Sequence, residues 1–332
     1  MCENLCLKTV LLLTVLFLSI GCSTAYAQTD QSEAEFQKLM PITGKVKTRF
    51  GEFELDHSFP TKDTADKVYN LMDSQRASQL YLWSLPIVAT TRIRHSLKDN
   101  VDGYANNRFV TIKRFNERRG FLTANESTTY FIASSDTSKS AVLLDIPAGT
   151  VVGMINDSWQ ESPDDIGLFS PQSGKGGRHV IVGPNTPVNT IPEPSAITDD
   201  LHVHRVRTNH VLLLGRVIGT EQEIVELSSK MLLRYTGEKP NTNHLDMEDK
   251  FLPTYQPRGL AYWELLHQAI NDEVVQERDR FFMYWLKSLG IEKGKPFNPT
   301  ERQKKILIDG SKQGELIPAR GSPGLRLPCV GC

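Results

Sequence analysis

Apolar positions recur along this chain on two periods, and the switches between them mark out its elements. VKTRFGEFEL, Val46 to Leu55, mixes β-branched and aromatic residues around Gly51, which predicts a hairpin or bulged strand. Thr61 then opens a helix, with Asp63 in its first turn to suit the dipole. Val68, Leu71, Met72, Leu80 and Leu85 follow at helical spacing, and Pro86 is expected to end the helix. Gln75, Arg76 and Gln79 fall on its other side. From about Phe109 to Arg216 the period drops to two. FVTIKRF, TTYFIAS, AVLLDI, TVVGMI, RHVIVG, HVHRVR and HVLLLGR are short β-rich runs separated by Gly, Pro, Ser and Asp. Their spacing indicates an all-β sandwich or barrel. AVLLDI and HVLLLG are nearly all apolar and belong at its centre, whereas FVTIKRF alternates and has one wet face. The proline-rich span Pro184 to Pro194 reads as a stiff surface connection.

Helical spacing returns after Gly219. Glu221 to Leu233 carries acids in its first turns and Lys230 and Arg234 at its end, as the helix dipole prefers. Thr236 to Pro257 is a polar loop. One long helix, or two abutting ones, then runs from about Leu260 to Leu289, with Leu266, Ile270, Val274, Phe281, Trp285 and Leu289 on one face and Gly290 as the stop. In FNPTERQ, Asn298 is the expected N-cap, Pro299 the first helical residue and Glu301 the capping-box acid, with Ile306 and Leu307 anchoring the helix they open. Phe281, Phe282, Tyr284 and Trp285 cannot all face one side of a helix, so some are expected to meet a further domain or another subunit in a homo-oligomer.

Composition narrows the setting. At 332 residues the chain holds two domains, or one with appendages, and 39% hydrophobic and 23% charged residues are ordinary for a globular protein. A net charge of −1 provides no field for nucleic acid or an anionic membrane. The basic excess from Lys287 to Arg326 lacks interleaved aromatics and reads as a solvated helix. Residues 1–27 form a targeting segment: Lys8, then the apolar run Val10 to Ile20, too short to span a bilayer comfortably. Ala25-Tyr26-Ala27 fits signal-peptide cleavage, making Gln28 the mature N-terminus and the protein periplasmic or secreted. The alternative is a lipid anchor at Cys22, where LSIGC resembles a lipobox with Ser19 in place of an aliphatic residue; the product would then be an outer-membrane lipoprotein. Of five cysteines, Cys2, Cys6 and Cys22 lie in this segment. Cys329 and Cys332 sit among Pro323, Gly324, Pro328 and Gly331, where no helix follows to lower a thiol pKa, so a frayed tail is expected there and not a redox pair.

Candidate chemistry is sparse. His202-Val203-His204 places two imidazoles on one strand face, with His210 close behind and Glu193, Asp199 or Asp200 as potential oxygen ligands for a shared metal. No third ligand stands at a fixed spacing, and no cofactor is implied. SGKGGR, Ser173 to Arg178, is not a P-loop, because Gly176 follows Lys175 and a strand follows Arg178; a glycine hairpin turn is the expectation, with Lys175 and Arg178 available to an anion. No G-x-S-x-G elbow is present. A hydrolase would have to use Asp145, Asp157 or Asp165 with His179, and Asp145 and Asp157 serve equally well as turn caps.

Four motifs occur in a recognisable order: VKTRFGEFEL with DSQRASQLYLWSLP, NESTTYFIASSDTSKSAVLLDIPAG, SPQSGKGGRHVIVGP, and LKSLGIEKGKPFNPTERQKKIL. Together they resemble a family of exported bacterial proteins, the domain of unknown function 1254, commonly followed by the domain of unknown function 1214. The resemblance implies an immunoglobulin-like β-sandwich, a helical linker and then a jelly-roll-like domain, for which GSPGLRLPCVGC after Arg320 leaves no room. In the family's Asn-x-Asp-Thr-x-Tyr signature, Asn125, Thr128 and Tyr130 match and Ser127 replaces the aspartate. The family-matching pocket set is Asn125, Thr128, Tyr130, Trp159, Arg178 and Arg216, with aromatic faces for stacking and arginine forks for anions.

The expected class is therefore α+β: a signal peptide (1–27), an N-terminal strand and helical segment (28–100), an immunoglobulin-like antiparallel sandwich (101–219), a C-terminal helical linker segment (220–322) and a tail (323–332). Its expected function is an exported binding module for a small polar or glycan-like ligand. The alternatives are a hydrolase or metal-assisted enzyme sited between the sandwich and a missing second domain, or a truncated, inactive product.

Overall fold

The computed structural model describes residues 42–102, 107–113, 120–121, 124–125, 127–192, 201–247 and 250–319. The targeting segment, the Cys329–Cys332 tail, Glu193, Asp199 and Asp200 lie outside the described residues. The fold is α+β, and the chain divides into two compact units, Met1–Leu71 and Met72–Cys332.

In the first unit, β1 (Gly44–Thr48), β2 (Gly51–Asp56) and β3 (Phe59–Pro60) form an antiparallel sheet in that order. The hairpin expected around Gly51 is present, with Thr48 paired to Gly51 across a two-residue turn. Thr61 caps the helix after β3, its Oγ1 accepting from the Thr64 amide at 3.4 Å. That helix, α1 (Lys62–Val101), continues into the second unit.

The second unit holds two larger sheets. One has six strands in the order β13-β4-β5-β11-β7-β8; the other has four, β10-β9-β6-β12. The strands are β4 (Arg108–Ile112), β5 (Thr129–Asp136), β6 (Val142–Ile146), β7 (Val151–Asp157), β8 (Asp164–Gly167), β9 (Gly177–Val182), β10 (Leu201–Arg205), β11 (His210–Val217), β12 (Leu232–Tyr235) and β13 (Asn243–Asp246). Each of the seven period-two runs contains a strand. The all-antiparallel expectation needs correction at two edges, where β10 runs parallel to β9 and β13 parallel to β4. One apolar cluster draws Phe131, Ile155 and Leu213 from the six-stranded sheet and Val142, Leu144 and Ile181 from the four-stranded one, so the sheets share a core. Burying each such side chain contributes roughly 1.5–3 kcal/mol before entropy is counted. Leu143, Val180, Leu201 and Val203 belong to a separate cluster on the opposite face of the four-stranded sheet.

Pro86 does not end its helix. It lies inside α1, and side chains from other segments supply donors to carbonyls around it. Tyr262 O–H donates to the Tyr81 carbonyl at 3.0 Å, and Gln256 Nε2 to that of Leu85 at 3.3 Å. Gln160 Nε2 reaches the Pro86 carbonyl at 3.4 Å. Ala77, Leu80, Ile87 and Val88 of α1 are buried in one core with Trp263 and Leu266, and Leu97 and Val101 in another with Val110 and Ile132.

The later helices are shorter than their pattern suggested. α2 (Glu221–Lys230) closes a Thr220/Glu223 capping box and ends before Leu233, because Leu232 to Tyr235 pair with β6 as a strand. Arg234 is thus a buried sheet residue and not a helix-terminal charge. β13 lies inside the stretch expected to be loop. α3 (Leu260–Asp272) and α4 (Arg280–Ser288) are separated at Glu273, whose carboxylate is drawn into the core, and Lys293 Nζ closes the α3 end on the carbonyls of Asn271 and Glu273, each at 2.8 Å. α5 (Glu301–Ala319) starts two residues later than Asn298 and Pro299 implied. Thr300 is the cap: its amide donates to Gln303 Oε1 at 2.8 Å and its Oγ1 accepts from the Gln303 amide at 3.3 Å. α5 packs closely on α1 through Gly310 and Gly314. A Cβ there would stand 2.3 Å from Ala77 Cβ and 2.4 Å from Tyr81 Cδ1.

Candidate functional site

On the face of the four-stranded sheet turned away from the shared core lies a cleft of about 780 Å³. Leu143 and Asp145 of β6, Arg178 of β9 and Leu201 of β10 line it, together with the Lys175–Gly177 turn and Thr236 after β12. Strand alternation explains the lining. Val142, Leu144 and Ile146 point into the core, so Leu143 and Asp145 point out. Antiparallel register sets Asp145 opposite Arg178 on one side and Leu232 on the other.

Both Asp145 oxygens are engaged. Arg178 Nε donates to Oδ1 at 2.8 Å and Arg234 Nη1 to Oδ2 at 2.9 Å. Among the described residues, nothing partners the terminal Nη1/Nη2 edge of Arg178 or the Nζ of Lys175. Three amides of the glycine turn are already spent: Ser173 N–H donates to Ser170 O, Gly174 N–H to Gly167 O and Lys175 N–H to Gln172 O. Those amides cannot also cradle a phosphate. An anion in this cleft meets side chains.

A second polar group lies on the core-facing side of the same sheet. Parallel pairing sets His202 beside His179, and His204 Nε2 lies 2.9 Å from His179 Nδ1. On its other nitrogen, His204 Nδ1 stands 3.4 Å from Asp164 Oδ2, on β8 of the six-stranded sheet. This orders the tautomers: a proton on His204 Nδ1 faces the carboxylate, which leaves Nε2 to accept from His179 Nδ1–H. Burial, then the neighbouring His204 and His202, push His179 down to about 3, and burial lowers His204 as well. Among the described residues no three or more His, Cys, Asp or Glu side chains are arranged to hold a metal. The metal pairing considered from sequence joined His202 to His204. The closest imidazole contact is instead the one between His204 and His179, at hydrogen-bond distance.

The six family-matching residues fall in three places. Asn125 Oδ1 accepts from the amides of Ser127 and Thr128 and from Thr128 Oγ1, while its own amide donates to Tyr130 Oη. Arg216 lies over the Tyr130 ring at 5.1 Å, so these residues form one locked turn leading into β5. Trp159 packs against Trp83 at 4.9 Å, and Trp83 stacks on Phe282. Only Arg178 reaches the cleft. Sequence reasoning placed Arg234 at a helix end and missed it as a site residue, and the available signal was a lone cation in the apolar run LLRY.

Ser158, His210 and Glu273 converge, but not as a nucleophilic triad. Ser158 Oγ–H donates to Glu273 Oε1 at 2.6 Å, and His210 Nδ1 meets the same oxygen at 2.9 Å. Burial would raise Glu273, yet the donors from His210, Ser158 and the Asn209 amide outweigh it and hold it below the usual range. Asp157 caps the turn after β7, its Oδ1 accepting from the amides of Trp159 and Glu161, and burial raises it.

Two packed sheets with helices along one chain and a polar cleft on an outer sheet face define an α+β protein. Residues 106–228 match the family described as "Protein of unknown function (DUF1254)", which supports the resemblance and spans its two central motifs. No curated protein matches the chain. Among solved structures, the VPA0106 protein from Vibrio parahaemolyticus is similar at TM-score 0.53 and 18% identity, over 77% of this chain and 60% of that one. An uncharacterised protein from Burkholderia cenocepacia aligns at TM-score 0.27 and 11% identity, over 61% of this chain and 55% of that one. The chain thus spans about 60% of the VPA0106 protein, with which it shares a fold.

Proposed function

We propose that this protein is an exported module of the cell envelope, periplasmic or secreted, that binds a small polar or glycan-like ligand in the cleft beside the Lys175–Gly177 turn. In this reading the two larger sheets form an immunoglobulin-like sandwich, and the four-stranded sheet presents the site. The observation that carries it is the cleft itself: about 780 Å³, with an apolar floor, one engaged carboxylate, the terminal edge of Arg178 and the Lys175 ammonium. Small-molecule sites combine a largely apolar wall with a few placed polar groups in this size range. Export rests on the Ala25-Tyr26-Ala27 segment, and among the described residues no helix is long and apolar enough to cross a membrane.

Thermal-shift screening of the purified protein against sugars and small polar metabolites tests the reading. Hits are expected that raise the melting temperature and vanish in Leu201→Trp, which fills the cleft at an exposed edge strand. Hits indifferent to Leu201→Trp would place binding elsewhere and sink the proposal.

A further inference from the structure

We infer that the ligand of this cleft carries a carboxylate, received by the terminal fork of Arg178 while Asp145 and Arg234 act as positioning residues. The inference rests on the cleft being the binding site, and it names the ligand's class. A guanidinium has five donors in a rigid plane. Arg178 spends Nε on Asp145 Oδ1 at 2.8 Å, which fixes the plane and leaves the Nη1/Nη2 edge as two parallel donors, matched to a planar carboxylate. Asp145 cannot swing away, because Arg234 holds its other oxygen at 2.9 Å. Side-chain exposure rises along this chain from 8% at Arg234 through 18% at Asp145 to 55% at Arg178. A buried anchor therefore orients an exposed fork, which is the arrangement of a preorganised site.

Charge points the same way. Arg234 alone neutralises Asp145, so Arg178 is a surplus cation, and Lys175 lines the same cleft as a second. Asp145 is the sole acid among the described lining residues. Leu143 and Leu201 give the cleft an apolar wall suited to a compact organic body behind the anion, and the Lys175 amide is already spent on Gln172 O. A sugar acid or other hydroxy acid meets these requirements; a neutral sugar leaves the fork unfilled.

Titration calorimetry on the purified protein with matched pairs tests this: glucuronate against glucuronamide, lactate against lactamide, and inorganic phosphate as a third arm. The acids are expected to bind, with the amides and phosphate at least about tenfold weaker, which is the scale of one charge-assisted bidentate contact. Arg178→Lys keeps the charge and loses the fork, so acid affinity should fall about tenfold with the melting temperature unmoved. Asp145→Asn should lower it about threefold by loosening the guanidinium. Acid and amide binding alike, phosphate binding as tightly as the acids, or an unaltered Arg178→Lys each overturns the carboxylate inference. The cleft reading would survive those outcomes if binding still disappears in Leu201→Trp. If no acid binds, the inference fails outright, and neutral hits lost in Leu201→Trp would keep the cleft alone.

Discussion

Two carboxylates in the second unit are held by several donors, and they end differently. Glu273 is almost wholly enclosed, and its oxygens take Ser158 Oγ–H, the Asn209 amide at 2.6 Å and His210, with Arg94 Nη1 at 3.8 Å. These groups tie α3 to α1 and to one end of the six-stranded sheet, where β7 ends and β11 begins, and the node presents nothing. Asp145 has two partners, and the outer one still offers an unused edge to a cleft. Saturation marks the first as architecture. An unspent fork marks the second as a place for something else to bind.

The sharpest way to break this contrast is Glu273→Ala. It leaves buried donors without an acceptor and should cost about 3–5 kcal/mol in urea denaturation, the scale of breaking a buried charged network. Arg234→Met should come next, at about 1–3 kcal/mol, since Asp145 keeps Arg178 but loses its buried partner; unlike Glu273→Ala, it should also weaken cleft binding. Acid probes the histidine chain between the sheets. His179 and His204 have folded pKa values below the unfolded value, so the unfolded state binds more protons as pH falls. Their stabilisation is fully present above about pH 6.5 and is lost as pH falls below it, for His179 on the way down to about pH 3, by at most about 1.4 kcal/mol per pH unit for each histidine. Melting temperature against pH should therefore fall below neutrality, and His179→Phe should flatten part of that slope; an unchanged slope would remove the histidines as its cause. Arg178→Ala should change stability least, within about 0.5 kcal/mol as for an exposed ion pair, while abolishing cleft binding. If it destabilises as strongly as Arg234→Met, the distinction between anchor and fork is wrong.

Much of the framework was legible. The seven strand runs, the hairpin at Gly51, the Thr61 start and the Gly290 stop follow from local periodicity and turn chemistry, which act over a few residues and so are written in consecutive letters. The errors share a cause. Pro86 sits in a continuous helix where Gln160, Gln256 and Tyr262, remote in sequence, donate to the carbonyls of Pro86, Leu85 and Tyr81. Leu232 to Tyr235 reads as the tail of a helix, and pairing with β6 makes it a strand. Thr300 outcompetes Asn298 as the cap because its side chain meets the Gln303 amide. For the candidate site, Arg178 and Lys175 were visible as cations in a glycine turn, whereas the partner that gives Arg178 its direction was not.

Local order in the chain settles periodicity, turn positions, charge balance and the run of motifs that carries the family resemblance, because those depend on neighbours within one or two turns of backbone. Which residues meet depends on strand register and on how sheets stack. Those arrangements set Arg234 against Asp145 across 89 positions and His179 against His204 across 25, and they carry Trp159 away from the residues it was grouped with. A contact between distant residues is selected by the free energy of the whole fold, and no window of sequence contains it.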